Sequence, residues 1–150
     1  MKILVQYAGD GFFIGVSPGG HAHVFETNSE RQSAATPLEM LLSALGACTG
    51  ADVVSILTKK RQKVTDYRVE VSGERRQDFP KSFEVIKIHH IVRGHHLSTV
   101  AVQQAIELSD TKYCGVAATL RPTAQISSSF EIIQEPDTPV EDDGSLQPAH

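Results

Sequence analysis

The stretch TPLEMLLSALGACTGADVVSILTKKRQ, Thr36 to Gln62, restricts what this chain can fold into more than any other part of it. Thr36 suits a helix N-cap, Pro37 the first helical position, and Glu39 completes a capping box three residues after Thr36. Lys59, Lys60 and Arg61 close the far end, where cations complement the helix dipole. Pro37 to Lys60 predicts a helix about 36 Å long at 1.5 Å per residue, which exceeds the diameter of a compact half-domain. Leu38, Met40, Leu41, Leu42, Ala44, Leu45, Ala47, Cys48, Ala51, Val53, Val54, Ile56 and Leu57 cover nearly its whole circumference. A helix apolar all round must be buried all round. One small sheet covers one side. The other side is expected to pack on a second copy of the chain, with Gly46, Ala47 and Gly50 allowing close approach, so the partner expected is the chain itself in a homodimer. A membrane span is the competing reading, but Glu39, Asp52, Ser43 and Ser55 lie inside it. A carboxylate in mid-span costs about 2.5–3.5 kcal/mol even on lenient insertion scales, so a buried helix of a soluble protein, with no membrane partner, is the better reading.

Around this helix the pattern predicts short strands and smaller helices. Ile3–Tyr7, Phe12–Val16 and His21–Glu26 read as strands separated by Gly9-Asp10-Gly11 and Pro18-Gly19-Gly20 turns. Val64–Arg76 and Ser82–Val92 alternate as half-exposed strands joined through Asp78–Lys81, and Thr123–Ile133 supplies a last strand. Ser98 caps a helix over Thr99–Leu108, and Lys112–Leu120 reads as a shorter helix ahead of Pro122. Strand runs interrupted by helices mean an α+β fold with a largely antiparallel sheet.

At 150 residues the chain is large enough to bury one core without disulfide or metal staples, which predicts a single domain over 1–134. The remainder, 135–150, holds five acids and no Lys or Arg and is expected to be a solvated tail. Removing it leaves 14 basic and 13 acidic groups, with no basic stripe to suit a nucleic acid. Two cysteines 66 positions apart and no signal-peptide pattern point to the cytoplasm, where thiols stay reduced.

Chemistry rests on few residues. Cys48 shares a helix face with Leu41, Leu45 and Asp52, which makes it either a buried filler or a thiol kept from bulk water for a reason. If Thr111 caps the shorter helix, Cys114 lies in its first turn, where backbone N–H groups favour a thiolate. Cys114 is therefore nominated as the more acidic thiol. The histidines, His21-x-His23, His89-His90 and His95-His96, have no cysteine or carboxylate at ligand spacing, so no metal and no cofactor is expected. Nucleotide-binding, GxSxG and HExxH motifs are absent from the sequence.

The succession PLEMLLSALGAC, DVVSILTKKRQKV, ERR and KYCGVAATL resembles the OsmC/Ohr family, and its YhfA-like branch most closely, over roughly residues 1–134. The resemblance implies an OsmC-like α+β fold, mainly antiparallel sheets around a long central helix, built as an intertwined homodimer. It implies thiol-dependent reduction of hydroperoxides, organic ones especially. Cys48 is then the attacking cysteine and Cys114 the resolving one, and an external dithiol reduces the resulting disulfide. Two positions depart from the family pattern. The glutamate that follows the helix-opening proline is Leu38 here, with Glu39 one later and about 100° around the helix. The arginine near the N-terminal hairpins is represented only by Arg31. Glu39, Arg31 and Asp52 are thus the candidate supporting residues. A buried thiol without a nearby cation is a poor nucleophile, so the alternative is a catalytically weak or inactive OsmC-like dimer that binds a hydrophobic small molecule or senses redox state.

Overall fold

The computed structural model describes residues 1–28 and 30–137. Most of the tail expected over 135–150 therefore lies outside the described residues. At the start of the chain, Asp10 and Gly11 both take positive φ, 52° and 79°, the conformation of the two-residue turns that Asp-Gly pairs favour. They join β1 (Leu4–Gly9) to β2 (Phe12–Val16), and β3 (Ala22–Glu26) follows in an antiparallel three-stranded sheet.

The long helix α1 spans Pro37–Lys59, and its capping box forms as the sequence predicts. The Glu39 amide donates to Thr36 Oγ1, and the Thr36 amide donates back to Glu39 Oε2 at 2.7 Å. Two long strands, β4 (Lys63–Arg75) and β5 (Phe83–His95), then pair antiparallel. Helix α2 (Thr99–Leu108), capped by Ser98, leads into a π-helical turn (Ser109–Tyr113) and the short helix α3 (Gly115–Leu120). This helical crossover is long enough to bring β6 (Gln125–Gln134) back parallel to β5, so the second sheet is mixed, ordered β4-β5-β6. The α+β class holds, with one parallel pairing in it.

The short helix differs from expectation. Thr111 does not cap it; it lies in the π turn, and its hydroxyl donates back to the Glu107 carbonyl of α2. Cys114 is itself the N-cap residue, with extended backbone and its sulfur accepting from the Ala117 amide at 3.4 Å.

One face of α1 packs on the inner face of β4, β5 and β6. Leu45, Gly46, Thr49, Gly50, Val53 and Leu57 are buried there. Gly46 and Gly50 do serve close approach, but to the chain's own sheet rather than to a partner. A Cβ at Gly46 would stand 3.1 Å from Val71 Cγ2, and one at Gly50 would stand 3.0 Å from Tyr67 Cε1. Of the three small residues expected at a partner-facing surface, only Ala47 is exposed, in one stripe with Ala44, Ala51 and Val54. Although α1 is long and apolar enough by composition to cross a membrane, one chain buries only 33% of its most apolar window.

Candidate functional site

The core is two apolar clusters with a polar layer between them. In one cluster Val53 and Leu57 of α1 meet Val92 of β5 and Ala101, Val102, Ala105 and Ile106 of α2. In the other, Leu45 of α1 meets Ile86 and Ile88 of β5, Cys114, and Ala117 of α3. The residues that fall between the clusters are Thr49 and Gly50 on α1, His90 on β5, Ser128 on β6, and Ser109 and Asp110 in the π turn. Thr49, His90 and Ser109 are fully buried. Polar groups in such a place must pair with one another, because each one left without a partner costs about 1–3 kcal/mol.

Thr49, Ser109 and His90 do so in two groups. Thr49 Oγ1 lies 3.0 Å from Ser109 Oγ, and the Ser109 hydroxyl donates to Asp52 Oδ2, also at 3.0 Å. On the other side, Tyr67 Oη lies 2.6 Å from His90 Nδ1. Burial raises the Tyr67 phenol above its ordinary range, so the hydroxyl keeps its proton. Burial likewise lowers His90 from 6.5 to about 4, against a smaller opposing pull from the Asp110 charge. His90 is therefore neutral. Among the described residues, the buried side-chain polar atoms without a hydrogen-bond partner are His90 Nε2, Asp110 Oδ1 and Ser128 Oγ, all of this layer, with Arg121 Nη2 3.9 Å from Asp110 Oδ1.

At the edge of the layer the two cysteines meet. Cys48 Sγ, Cys114 Sγ and a carboxylate oxygen of Asp52 all lie within 4.8 Å of one another. Three segments produce this. A turn of α1 sets Asp52 beside Cys48, Ser109 steers the Asp52 carboxylate, and the π turn delivers Cys114 onto the same spot. Both thiols are free; Cys48 is half-buried and Cys114 is 3% exposed. The expectation that Cys114 is the more acidic thiol is overturned. Burial raises it to about 11, and the adjacent Cys48 adds to the rise, outweighing the lowering by the Ala117 and Val116 amides. Capping six residues of helix does not offset desolvation. The sequence offers no cysteine or carboxylate at ligand spacing to its histidines, and the three donors that converge here include no histidine, because the fold joins cysteines 66 positions apart.

The other two candidates are held elsewhere. Glu39 is occupied by the capping box, and those hydrogen bonds keep its carboxyl below the usual range. It stands nine residues before Cys48, about 13 Å along the helix axis. Arg31 donates through Nε to Glu26 Oε1 at 2.5 Å, through Nη1 to Asp10, and through Nη2 to the Asp10 carbonyl, and its guanidinium covers the Phe12 ring. Glu26, fully buried, also accepts from the Ser33 and Ala34 amides, and together these contacts hold its carboxyl in the charged form despite burial. The Glu26–Arg31 pair thus fastens the loop ahead of α1.

A cleft of about 380 Å³ opens beside Asp52, between Ile56 and Leu108, with Tyr113 at one side and Lys59 and Lys60 at its rim. A second cavity of about 360 Å³ runs along α1 from Glu39 to Ala47 against Val69 and Val71. Neither Ser109, Thr49, Tyr67, His90 nor Glu26 was expected as part of a site. Only His90 carried a signal in the sequence, as a histidine inside an alternating apolar strand.

Residues 29–129 match the family described as OsmC-like protein. The chain is 41% identical to Protein YhfA of Escherichia coli over 133 residues, covering 89% of this chain and 98% of that protein. A crystal structure of a hypothetical protein from Aquifex aeolicus superposes with a TM-score of 0.81 at 30% identity, over 90% of this chain and 97% of that one. The crystal structure of the organic hydroperoxide resistance protein OhrB of Bacillus subtilis superposes with a TM-score of 0.61 at 14% identity, over 87% of this chain and 98% of that one, a likeness of fold.

The buried histidine gives a pH signature. Between pH 6.5 and about 4 the unfolded chain binds a proton at His90 that the folded chain refuses, so stability rises with pH across this window and is lost on acidification. In urea unfolding from pH 4 to 6.5, the native chain should gain about 2 kcal/mol more than His90→Gln. Equal slopes would contradict a buried neutral imidazole.

Proposed function

Because the chain belongs to the OsmC-like family, we propose that it is a thiol-dependent hydroperoxide reductase of oxidative-stress defence, with Cys48 attacking and Cys114 resolving. The observation that carries this reading is the convergence of both sulfurs with the Asp52 carboxylate inside 4.8 Å. Their unequal burial supports the division of labour. The half-buried Cys48 is the one a peroxide meets, while the buried Cys114, its thiol raised to about 11, stays protonated and waits behind it.

In the cycle, Asp52, steered by Ser109, accepts the Cys48 proton. The thiolate displaces on the O–O bond; the sulfenic acid forms and the departing oxygen leaves as alcohol with the proton from Asp52. Cys114 sulfur then displaces hydroxide from the sulfenic sulfur, water leaves, and the gap closes to the disulfide length of about 2.05 Å. An external dithiol restores both thiols. The cleft beside Asp52, walled in part by Ile56 and Leu108, suits an organic hydroperoxide. The unit acting is the OsmC-like domain over 1–134, in the cytoplasm, where a reduced thiol pool keeps the cycle supplied.

We infer that the working form is a homodimer. One chain leaves the Ala44, Ala47, Ala51 and Val54 stripe of α1 uncovered. It also leaves Ile3, Leu4, Val5 and Tyr7 of the N-terminal segment and its first strand more than half exposed. Those two apolar surfaces together are what a second copy would cover.

The second reading, a weak or inactive dimer that binds an apolar molecule or senses redox state, is favoured by Arg31. Its donors are committed to Glu26 and Asp10, so within the chain this cation is not free to pair with Cys48. Counting thiols separates the two. Stoichiometric cumene hydroperoxide should consume two thiols per chain rapidly, with hydrogen peroxide slower, and Cys114→Ser should stop at a sulfenic acid on Cys48. Slow oxidation of both sulfurs to sulfonic acid, with no bridge, would establish the inert reading. For the dimer, Ala47→Glu places a carboxylate in the proposed interface and should give unfolded or aggregated chains. A stable Ala47→Glu monomer in sedimentation would overturn it.

A further inference from the structure

The thiol cluster has the composition of a metal centre as well as that of a redox pair. Two sulfurs and a carboxylate oxygen mutually within 4.8 Å are a mixed sulfur–oxygen donor set. In a tetrahedral zinc site with Zn–S bonds of about 2.3 Å, two sulfurs stand about 3.8 Å apart, so the donors present need to close by about 1 Å at most. The supporting contacts are those that ligands require. The Ser109 hydroxyl donates to Asp52 Oδ2 and so orients the carboxylate, while Thr49 stands 3.0 Å behind Ser109. The Ala117 amide donates to Cys114 Sγ at 3.4 Å. Ligand-orienting hydrogen bonds of this kind are regular companions of metal sites. Thiolates with one carboxylate suit zinc better than copper(I), which prefers sulfur alone, or magnesium and calcium, which prefer oxygen.

We propose that Cys48, Asp52 and Cys114 form a zinc(II) site with three protein donors and one open position. Binding displaces the two thiol protons. Its consequence for redox chemistry rests on the peroxidase reading, whereas the binding itself does not. Zinc and a hydroperoxide then compete for the same dithiolate. When the hydroperoxide wins, the two thiolates, one ROOH and two protons give the disulfide, ROH, water and free zinc. Two electrons pass from sulfur to the O–O bond, and the metal is expelled without changing its own oxidation state. The reduced chain is thereby a zinc holder that oxidation empties.

The test titrates the reduced, full-length chain with zinc chloride against a chromophoric chelator, and separately with cobalt(II) chloride followed by absorption. The expected result is one ion per chain, with thiolate-to-cobalt charge-transfer absorption. Cys48→Ser and Cys114→Ser should each lose that binding, and Ser109→Ala should weaken it by about 10–100-fold through the misdirected carboxylate. An arm that needs no variant uses diamide, which should release the ion from the native chain as the disulfide forms. Absence of cobalt charge transfer in the reduced native chain, or unchanged affinity in the two cysteine variants, overturns the site. Zinc uptake by a chain that consumes no hydroperoxide with or without the metal would uphold the site and remove the peroxidase reading. Peroxide consumption without zinc uptake would do the reverse.

Discussion

Burial of α1 is the constraint from which the rest of this structure follows. A 23-residue helix with apolar side chains on every side is far too apolar to stand in water, and each fully buried Leu45, Val53 or Leu57 contributes about 1.5–3 kcal/mol once covered. The second sheet and helices α2 and α3 cover one face. Gly46 and Gly50 bring that face so near β4 that Val71 and Tyr67 occupy the space where side chains would be. The uncovered alanine stripe and the exposed first strand are what remains to be satisfied. The proposed homodimer would cover both.

The polar layer decides where chemistry sits. It crosses α1, β5, β6 and the π turn at one level, which separates the two apolar clusters and puts Ser109 between Thr49 and Asp52. Without Ser109 the Asp52 carboxylate would have no neutral donor to orient it beside the sulfurs. The π turn has a related effect. π-helical turns are rare and recur at functional sites; this one changes the phase of the chain between α2 and α3 and so presents Cys114 to Cys48. The thiols are thus placed by the same irregularity that ends α2.

Much of this was legible in the sequence. The capping box at Thr36, the Asp-Gly hairpin, the Ser98 cap and the α+β order are local chemistry, and local chemistry is what spacing records. The pairing of Cys48 with Cys114 came from a resemblance, since nothing in the spacing of two distant cysteines requires it. What escaped was tertiary. Gly46 and Gly50 read equally well as a partner-facing surface, because small residues do not say which neighbour comes close. Cys114 read as an acidic thiol because helix-end electrostatics is visible in a sequence, and the burial that outweighs it is not. The Ser109 and Thr49 hydroxyls gave no sign of their role, being ordinary polar residues until the fold encloses them. Arg31 stood only as the one arginine ahead of the helix, and nothing in the sequence showed that Glu26, unremarked in its strand, is buried and paired with it.

The central claim is that two sulfurs far apart in sequence share one site within a single chain. A redox titration in dithiothreitol buffers, with peptide mass mapping at each potential, addresses it most directly. The expected result is one two-electron transition per chain in which the peptides holding Cys48 and Cys114 become joined, at a midpoint that does not change with protein concentration. Bridges that form only between chains, or thiols that oxidise independently with no joined peptide, would contradict it.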